Sequence, residues 1–486
     1  MLRLCLGAID VIDESVACSE GIARSRSSLD VLSQNIEQST RTVEISRSGS
    51  GIDIFSPVGL EADTKLAPAC TSDLNLESLL RAHDDQVLKL ASQSKDAKPN
   101  ELSSAVRATE ILALKHAEVS GWFLGAPVSS IKLGNLEEWL AWAFFHTTPK
   151  ELAEMIPLGD EMPQLLAESQ SWAEFTLEPG YNPAVKSMRL NLDPIPSRHR
   201  PLIYYAVTHV VFDWFANWIL HMNGFSKHKS GCLTYWRRAG SSGSATEAER
   251  AAKLPMVICH GLGVGVLPYI DFARDIIRES AERDVFMITL PNISMQIHED
   301  VPSSTELVVC IVGMLHAWGF SKAHFMGHSF GTAVMAYVAK ARPDICGAAS
   351  FVDPVCFLLC KPDVSFNFMY RAPQNASQML LKYFVAEELY TAHSLARHFH
   401  WQESIVWPED LKGIPTLVVL SGKDSIVPAH SIRRYLRAFQ ARDPTCSIKE
   451  VLWFENSGHG ECMYINRKRR AEVLKAVLRL DGEQAK

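Results

Sequence analysis

The residues best suited to chemistry in this sequence form the run Gly327-His328-Ser329-Phe330-Gly331. A strand-like apolar stretch, 323–326, precedes the run, and a helix-like stretch from Thr332 follows it. A serine on a tight strand-to-helix turn needs unusual backbone angles, and glycine two residues to either side leaves room for that turn. Such a turn presents the hydroxyl at the carboxyl edge of a sheet, so Ser329 is predicted to be a nucleophile.

A serine nucleophile needs a base, and His459 has the position that fits. It lies between Gly458 and Gly460, after the strand-like run 448–454 and before the last helix-like segment. His328 is less suitable, because adjacent residues on so sharp a turn point in different directions, and it is expected to pack beside the site. His459 is therefore predicted to take the serine proton.

Two aspartates compete to hold the imidazole tautomer and stabilise its positive charge. Asp424 follows the apolar run 416–420, and Asp353 ends the run 348–352. The carboxyl ends of parallel strands meet at one sheet edge, so Asp353 can in principle supply the carboxylate. Asp424 is favoured, with Asp353 kept as the alternative acid; the other interpretation of Asp353 is a cap on the chain that follows.

The glycine-rich run 260–265 directly follows the apolar segment 256–259. Glycine lets the backbone approach a reacting carbonyl, so the amides of Leu262 and Phe330 are predicted to form an oxyanion hole. A dinucleotide fingerprint is not complete here, because Val266 stands at its last glycine position. No cofactor is expected, and no His/Glu or Cys/His cluster has the spacing of a metal site.

Apolar segments of strand and helix length alternate in the second half of the chain. This alternation predicts a parallel sheet with right-handed crossovers. The predicted strands are 233–236, 256–259, 285–290, 323–326, 348–352, 416–420 and 448–454, and the predicted helices are 267–277, 306–318, 332–341, 431–439 and 464–480.

With these residues in place, 230–486 resembles an alpha/beta hydrolase, with Ser329, Asp424 and His459 in that family's chain order. The resemblance implies an α/β fold with a mostly parallel central sheet flanked by helices and an inserted helical lid. An aspartate at the nucleophile position would imply epoxide or haloalkane chemistry, so Ser329 points to acyl transfer. The whole chain also resembles fungal and plant proteins with a helical N-terminal extension, and this resemblance supplies no substrate.

The segment 354–412 falls where this family usually inserts a lid, and it is rich in apolar and aromatic residues. A cover of this kind over a catalytic serine commonly builds the substrate pocket, which predicts a bulky or acyl-chain substrate. The alternative is ordinary packing against the sheet edge. His393, His398 and His400 are expected to be structural.

The first 229 residues divide into two parts by pattern. Residues 1–75 are rich in Ser, Thr and Arg and predict a loose or disordered tail, whereas 76–229 has helical spacing of apolar residues. The most hydrophobic segment, 201–221, carries His209, Asp213, Asn217 and His221 at every fourth position. A packed helix at a domain seam is favoured, and peripheral membrane contact is the alternative.

Composition excludes several classes of function. The chain has 486 residues and a net charge of −7, the wrong sign for a nucleic-acid binder. Its 11 cysteines include no C-x-x-C pair, as expected for a reducing compartment. Acidic residues at Asp10 and Asp13 interrupt the only stretch resembling a secretion signal. The protein is predicted to be cytoplasmic, with membrane association as the alternative.

The first hypothesis is a serine hydrolase of an ester or thioester, lipase-like or thioesterase-like, acting on an apolar or bulky small molecule through an acyl-enzyme. The second is an acyltransferase or a cyclising release enzyme in small-molecule biosynthesis. The third is a non-catalytic ligand receptor that kept the fold, because fold alone does not imply chemistry.

Overall fold

The computed structural model describes residues 5–10, 99–155, 161–241 and 253–484. Within these ranges the chain forms an eight-stranded sheet in the order β1-β2-β4-β3-β5-β6-β7-β8. Strand β2 is antiparallel to both of its neighbours, and the pairs from β4 onward are parallel. The strands are β1 (Ser226–Ser230), β2 (Leu233–Arg238), β3 (Met256–Cys259), β4 (Val285–Thr289), β5 (Ala323–His328), β6 (Cys346–Val352), β7 (Thr416–Ser421) and β8 (Ile448–Phe454).

Side chains of the central strands alternate between two apolar layers. In β3, Val257 and Cys259 belong to one buried cluster, while Met256 and Ile258 belong to the other. A strand buried on both faces has no polar side, which is why the sequence reads as continuous apolar runs. Helices must therefore cover both faces of the sheet.

The helices that do so confirm the predicted fold, a mostly parallel sheet flanked by helices. They follow the strands in the alternation expected from sequence. The helices of the described ranges are α1 (Pro99–Trp122), α2 (Leu133–Phe145), α3 (Pro149–Glu154), α4 (Met162–Ala173), α5 (Leu202–Tyr205), α6 (Phe212–Met222), α7 (Ile270–Glu279), α8 (Ser304–Ala317), α9 (Gly331–Ala341), α10 (Asp363–Ser365), α11 (Ala376–Leu381), α12 (Leu389–His398), α13 (Trp401–Ser404), α14 (Ala429–Arg442), α15 (Glu461–Tyr464) and α16 (Arg467–Gln484).

The N-terminal helices pack on the segment 354–412. Trp122 Nε1 donates to the carbonyl of Cys360 at 3.2 Å, and Trp401 Nε1 donates to that of Ala143 at 2.8 Å. Residues 5–10 are also helical, with Cys5 and Ile9 buried, although they fall within the expected loose tail. The rest of that tail and residues 76–98, the first part of the region with helical spacing, lie outside the described residues.

The hydrophobic segment near 201–221 forms a helix with a π-helical centre, Ala206–Val211, between α5 and α6. One side packs on the sheet domain: Leu220 is fully buried, and Thr208 Oγ1 donates to the carbonyl of Met295 at 2.7 Å. The stripe from His209 to His221 does not face a buried seam; the large side chains on the outer side are apolar and exposed. No helix in the described ranges has the length and hydropathy to cross a bilayer.

Candidate active site

Ser329 occupies the tight turn between β5 and α9. Its φ is 53°, in the left-handed region that costs a non-glycine residue energy. The turn is held at both ends, because the Ser329 amide donates to the carbonyl of Val352 at 3.0 Å and the Ser329 carbonyl accepts from the Thr332 amide at 2.9 Å. Such over-determined strain is typical of a functional turn.

The two glycines of the run are required by close backbone approach. A Cβ at Gly327 would lie 2.7 Å from the carbonyl oxygen of Gly331, and a Cβ at Gly331 would collide with the carbonyl of Cys259. Gly331 begins α9 and Cys259 ends β3, so neither backbone group can move without displacing one of these elements. The turn therefore has the sequence G-x-S-x-G because only glycine fits at its two ends.

His459 and Asp424 are in direct contact. His459 Nδ1 donates to Asp424 Oδ2 at 2.6 Å, and Asp424 Oδ1 accepts from the amides of Ile426 and Val427 at 2.8 and 2.9 Å. With its proton on Nδ1, the imidazole keeps a lone pair on Nε2, which is buried and has no hydrogen-bond partner in the described chain. Burial lowers the pKa of His459, but the charge and hydrogen bond of Asp424 outweigh it and raise the pKa above its ordinary value.

Asp353 lies beside the same imidazole but contacts the backbone. Its Oδ2 accepts from the Gly460 amide at 2.7 Å and from the Ser421 hydroxyl at 3.0 Å. Asp353 is fully buried, and its Oδ1 has no hydrogen-bond partner among the described residues. Burial, and then the neighbouring charge of Asp424, raise the pKa of Asp353 to about 7.

Among the residues that the structure describes, Asp353, Asp424 and His459 form a group that could hold a metal ion, since one ligand atom from each lies within 4.8 Å of the others. His459 Nδ1, Asp424 Oδ2 and Asp353 Oδ2 already take part in hydrogen bonds, including the short one between Asp424 and His459. An ion bound at Nδ1 would have to break that bond, because Nδ1 cannot both donate a proton and ligate. The arrangement fits an acid–histidine pair better than a metal centre.

His328 belongs to a separate network that sequence reasoning missed. The Tyr269 hydroxyl accepts from the Gly261 amide at 2.8 Å and contacts His328 Nδ1 at 2.7 Å. Burial and then the charge of His459 hold the pKa of His328 well below its ordinary value. No spacing rule connects residues 59 positions apart, so only the fold reveals that Tyr269 ties the glycine-rich loop to the turn.

The two amides expected to form an oxyanion hole lie on the elements predicted for them. Leu262 is in the loop after β3 and Phe330 is at the start of α9, and both line the cavity that contains Ser329. Among the turn, loop and cap hydrogen bonds of the described residues, neither of these two N–H groups donates to a backbone carbonyl. A helix N-terminus with free amides is a favourable place for developing negative charge.

Ser329 and His459 open into one cavity of about 500 Å³, a size that suits a small molecule. The structure places Ser329 in the same cavity as the His459–Asp424 pair, and no hydrogen bond joins the Ser329 and His459 side chains among the described residues. Leu190 of the N-terminal region also lines it. Most of the apolar wall comes from the segment 354–412, namely Val355, Val364, Phe368, Met369, Leu381, Leu395 and Phe399.

Residues 256–475 match the alpha/beta hydrolase family. Among solved structures, a bacterial membrane phospholipase A is similar at 17% identity, over 57% of this chain and 94% of that chain, with a TM-score of 0.40. Naproxen esterase from Bacillus subtilis is similar at 12% identity, over 55% and 98%, with a TM-score of 0.37. No curated protein matches the chain.

Proposed function

We propose that the protein is a serine hydrolase in which Ser329 is the nucleophile, His459 the base and Asp424 the acid that orients it. The observation that carries this proposal is the unpartnered His459 Nε2, which lines the same cavity as a serine held at a φ of 53°. Ordinary packing gives no reason to strain a serine beside an imidazole whose other nitrogen is fixed by a carboxylate.

The reaction follows from these groups. Ser329 Oγ attacks a carbonyl carbon while its proton passes to His459 Nε2, and the negative charge on the carbonyl oxygen is stabilised by the amides of Leu262 and Phe330. His459 then returns the proton to the leaving alcohol or thiol as the bond to carbon breaks. Water, deprotonated by His459, releases the acyl group from Ser329.

The cavity wall indicates the substrate class. Its apolar residues and its volume of about 500 Å³ suit an ester or thioester with a bulky or acyl-chain group. The wall from 354–412 covers the serine as a lid would, and its π-helical segments, Phe366–Tyr370 and Lys382–Ala386, are places where helical packing is interrupted. We expect this cover to shape substrate choice.

Covalent labelling with a fluorophosphonate probe tests the proposal. The full chain should label, Ser329→Ala should not, and Ser365→Ala, another serine lining the cavity, should label like the wild type. A wild-type chain that stays unlabelled while folded would favour a ligand receptor instead. Product analysis with competing alcohols then separates water from another acyl acceptor, because a transferase gives mainly acylated alcohol.

A further inference from the structure

The helical segment 202–222 presents large apolar side chains to solvent. They recur every three or four residues, so they share one side of the helix. We call this side the apolar face; it consists of Ile203, Val207, Val210, Trp214, Trp218 and Met222, each between 36% and 71% exposed. A contiguous exposed surface of this kind marks an interaction site in most proteins.

A second exposed apolar set adjoins it. Met379, Leu380, Tyr383 and Phe384 are 38% to 60% exposed and lie along α11 and the π-helical turn after it. The two helical elements that carry these sets are in contact, because the buried Tyr204 of α5 donates its hydroxyl to the carbonyl of Phe384 at 2.7 Å. The combined surface therefore spans two elements that are far apart in sequence.

This surface borders the active-site cavity. Gln378 and Leu381, which lie on either side of Met379 and Leu380 in sequence, line that cavity. Ile465, 72% exposed, lines it as well. A partner bound to the apolar surface would therefore lie at the border of the cavity through which an apolar substrate reaches Ser329.

Charges flank the apolar face but hardly enter it. From 201 to 222 Asp213 is the one Asp, Glu, Lys or Arg, and it is half-buried and accepts from the Asn217 amide at 2.9 Å. Arg198 precedes the helix, and exposed Lys227 and Lys229 follow it on β1. Apolar and aromatic side chains between basic ends match the hydrocarbon and the phosphate layers of a lipid surface.

We propose that the apolar face and its neighbour on α11 dock on a phospholipid bilayer, with the helix lying in the plane of the interface. A second copy of the chain fits this surface less well than a bilayer does, because it would cover the border of the cavity and would supply no acyl chains to it. The docking rests on the exposed surface alone. The inference that the substrate is a membrane-resident acyl ester rests also on the proposed function.

Co-sedimentation of the full chain with vesicles tests the docking. We expect binding to phosphatidylcholine vesicles, strengthened when phosphatidylserine is included. The double variant Trp214→Ser/Trp218→Ser should lower the partition coefficient roughly tenfold or more, because two indoles no longer leave water. Val309→Ser is the matched control: this valine is 65% exposed on α8, and its loss should leave binding unchanged.

Three results would overturn the proposal. The full chain could remain in the supernatant with both vesicle types. It could bind equally well after the two tryptophans are replaced. Sedimentation velocity could show a dimer that the tryptophan variant disperses, with no vesicle binding. Fluorophosphonate labelling in the absence of vesicles is read separately: its failure removes the hydrolase proposal and leaves the docking surface standing.

Discussion

Asp353 and Asp424 bind two adjacent residues of one loop. The Asp353 carboxylate accepts from the Gly460 amide at 2.7 Å, and the Asp424 carboxylate contacts His459 Nδ1 at 2.6 Å. Two acids at the ends of neighbouring strands β6 and β7 thus fix one loop. Asp424 orients the ring, and Asp353 fixes the backbone that carries it. This division of labour makes the two substitutions distinguishable.

Asp424→Asn should lower kcat by about 10³–10⁴-fold, because an amide can leave the imidazole in the wrong tautomer and removes its stabilising charge. Asp353→Asn should have a much smaller effect, since an amide oxygen still accepts from Gly460. Ester turnover and fluorophosphonate labelling of both folded variants measure this. If Asp353→Asn alone abolishes turnover while remaining folded, Asp353 is the catalytic acid.

The pH dependence of kcat/KM should reflect the raised pKa of His459. Protonated His459 cannot accept the serine proton, so activity should rise with pH through a midpoint above 6.5, the ordinary histidine value. Removing the charge in Asp424→Asn should move that midpoint to lower pH in whatever activity remains. A midpoint that does not move would mean that Asp424 does not set the titration.

Asp353 should make the folded state lose stability as pH rises. Its pKa is raised from 3.8 to about 7, so the native state binds more protons than the unfolded chain between these values. This contribution is present below pH 3.8 and is lost through pH 7, a change on the order of a few kcal/mol. Urea unfolding across this pH range measures the free energy of unfolding of the wild type and of Asp353→Asn. As pH rises, the wild type should lose stability relative to the variant. A constant difference would contradict the assignment.

The parallel strands could be predicted because each is an apolar run of strand length bounded by turn residues, and the observed bounds lie within two residues of those expected. Strand β1 could not, because Ser226–Ser230 is polar and its pairing depends on the turn at Gly231, whose φ is 55°. Sequence favoured Asp424 over Asp353 without separating them firmly, since both follow strands that end at one edge. Which carboxylate meets Nδ1 depends on tertiary geometry.

Gly331→Ala should disrupt the turn that carries Ser329. Its new methyl group would collide with the carbonyl of Cys259 on β3, so the turn or the strand must shift. Overpacking of this kind destabilises a protein by roughly 1–3 kcal/mol, and probe labelling of Ser329 should also be lost. Gly7→Ala is the control, because a Cβ at Gly7 meets nothing within 4 Å. Unchanged labelling and unfolding midpoint in Gly331→Ala would show that the turn tolerates a side chain.

Cys232 and Cys310 should form a disulfide when the protein is oxidised. Their sulfur atoms are 3.3 Å apart, between the β1–β2 turn and α8, and closing to a bond of about 2.05 Å needs only a small movement. The reaction should be slow at neutral pH, because burial and the neighbouring thiol raise the pKa of Cys232 to about 11 and leave little thiolate. Incubation with glutathione disulfide should oxidise the two thiols to a disulfide, while one glutathione disulfide takes up the two hydrogens and is reduced to two glutathione molecules. Peptide mapping should then find the two cysteines linked. Cys232→Ser should prevent the link; a wild-type chain in which mapping finds only separate glutathione adducts would show that the two sulfurs do not meet.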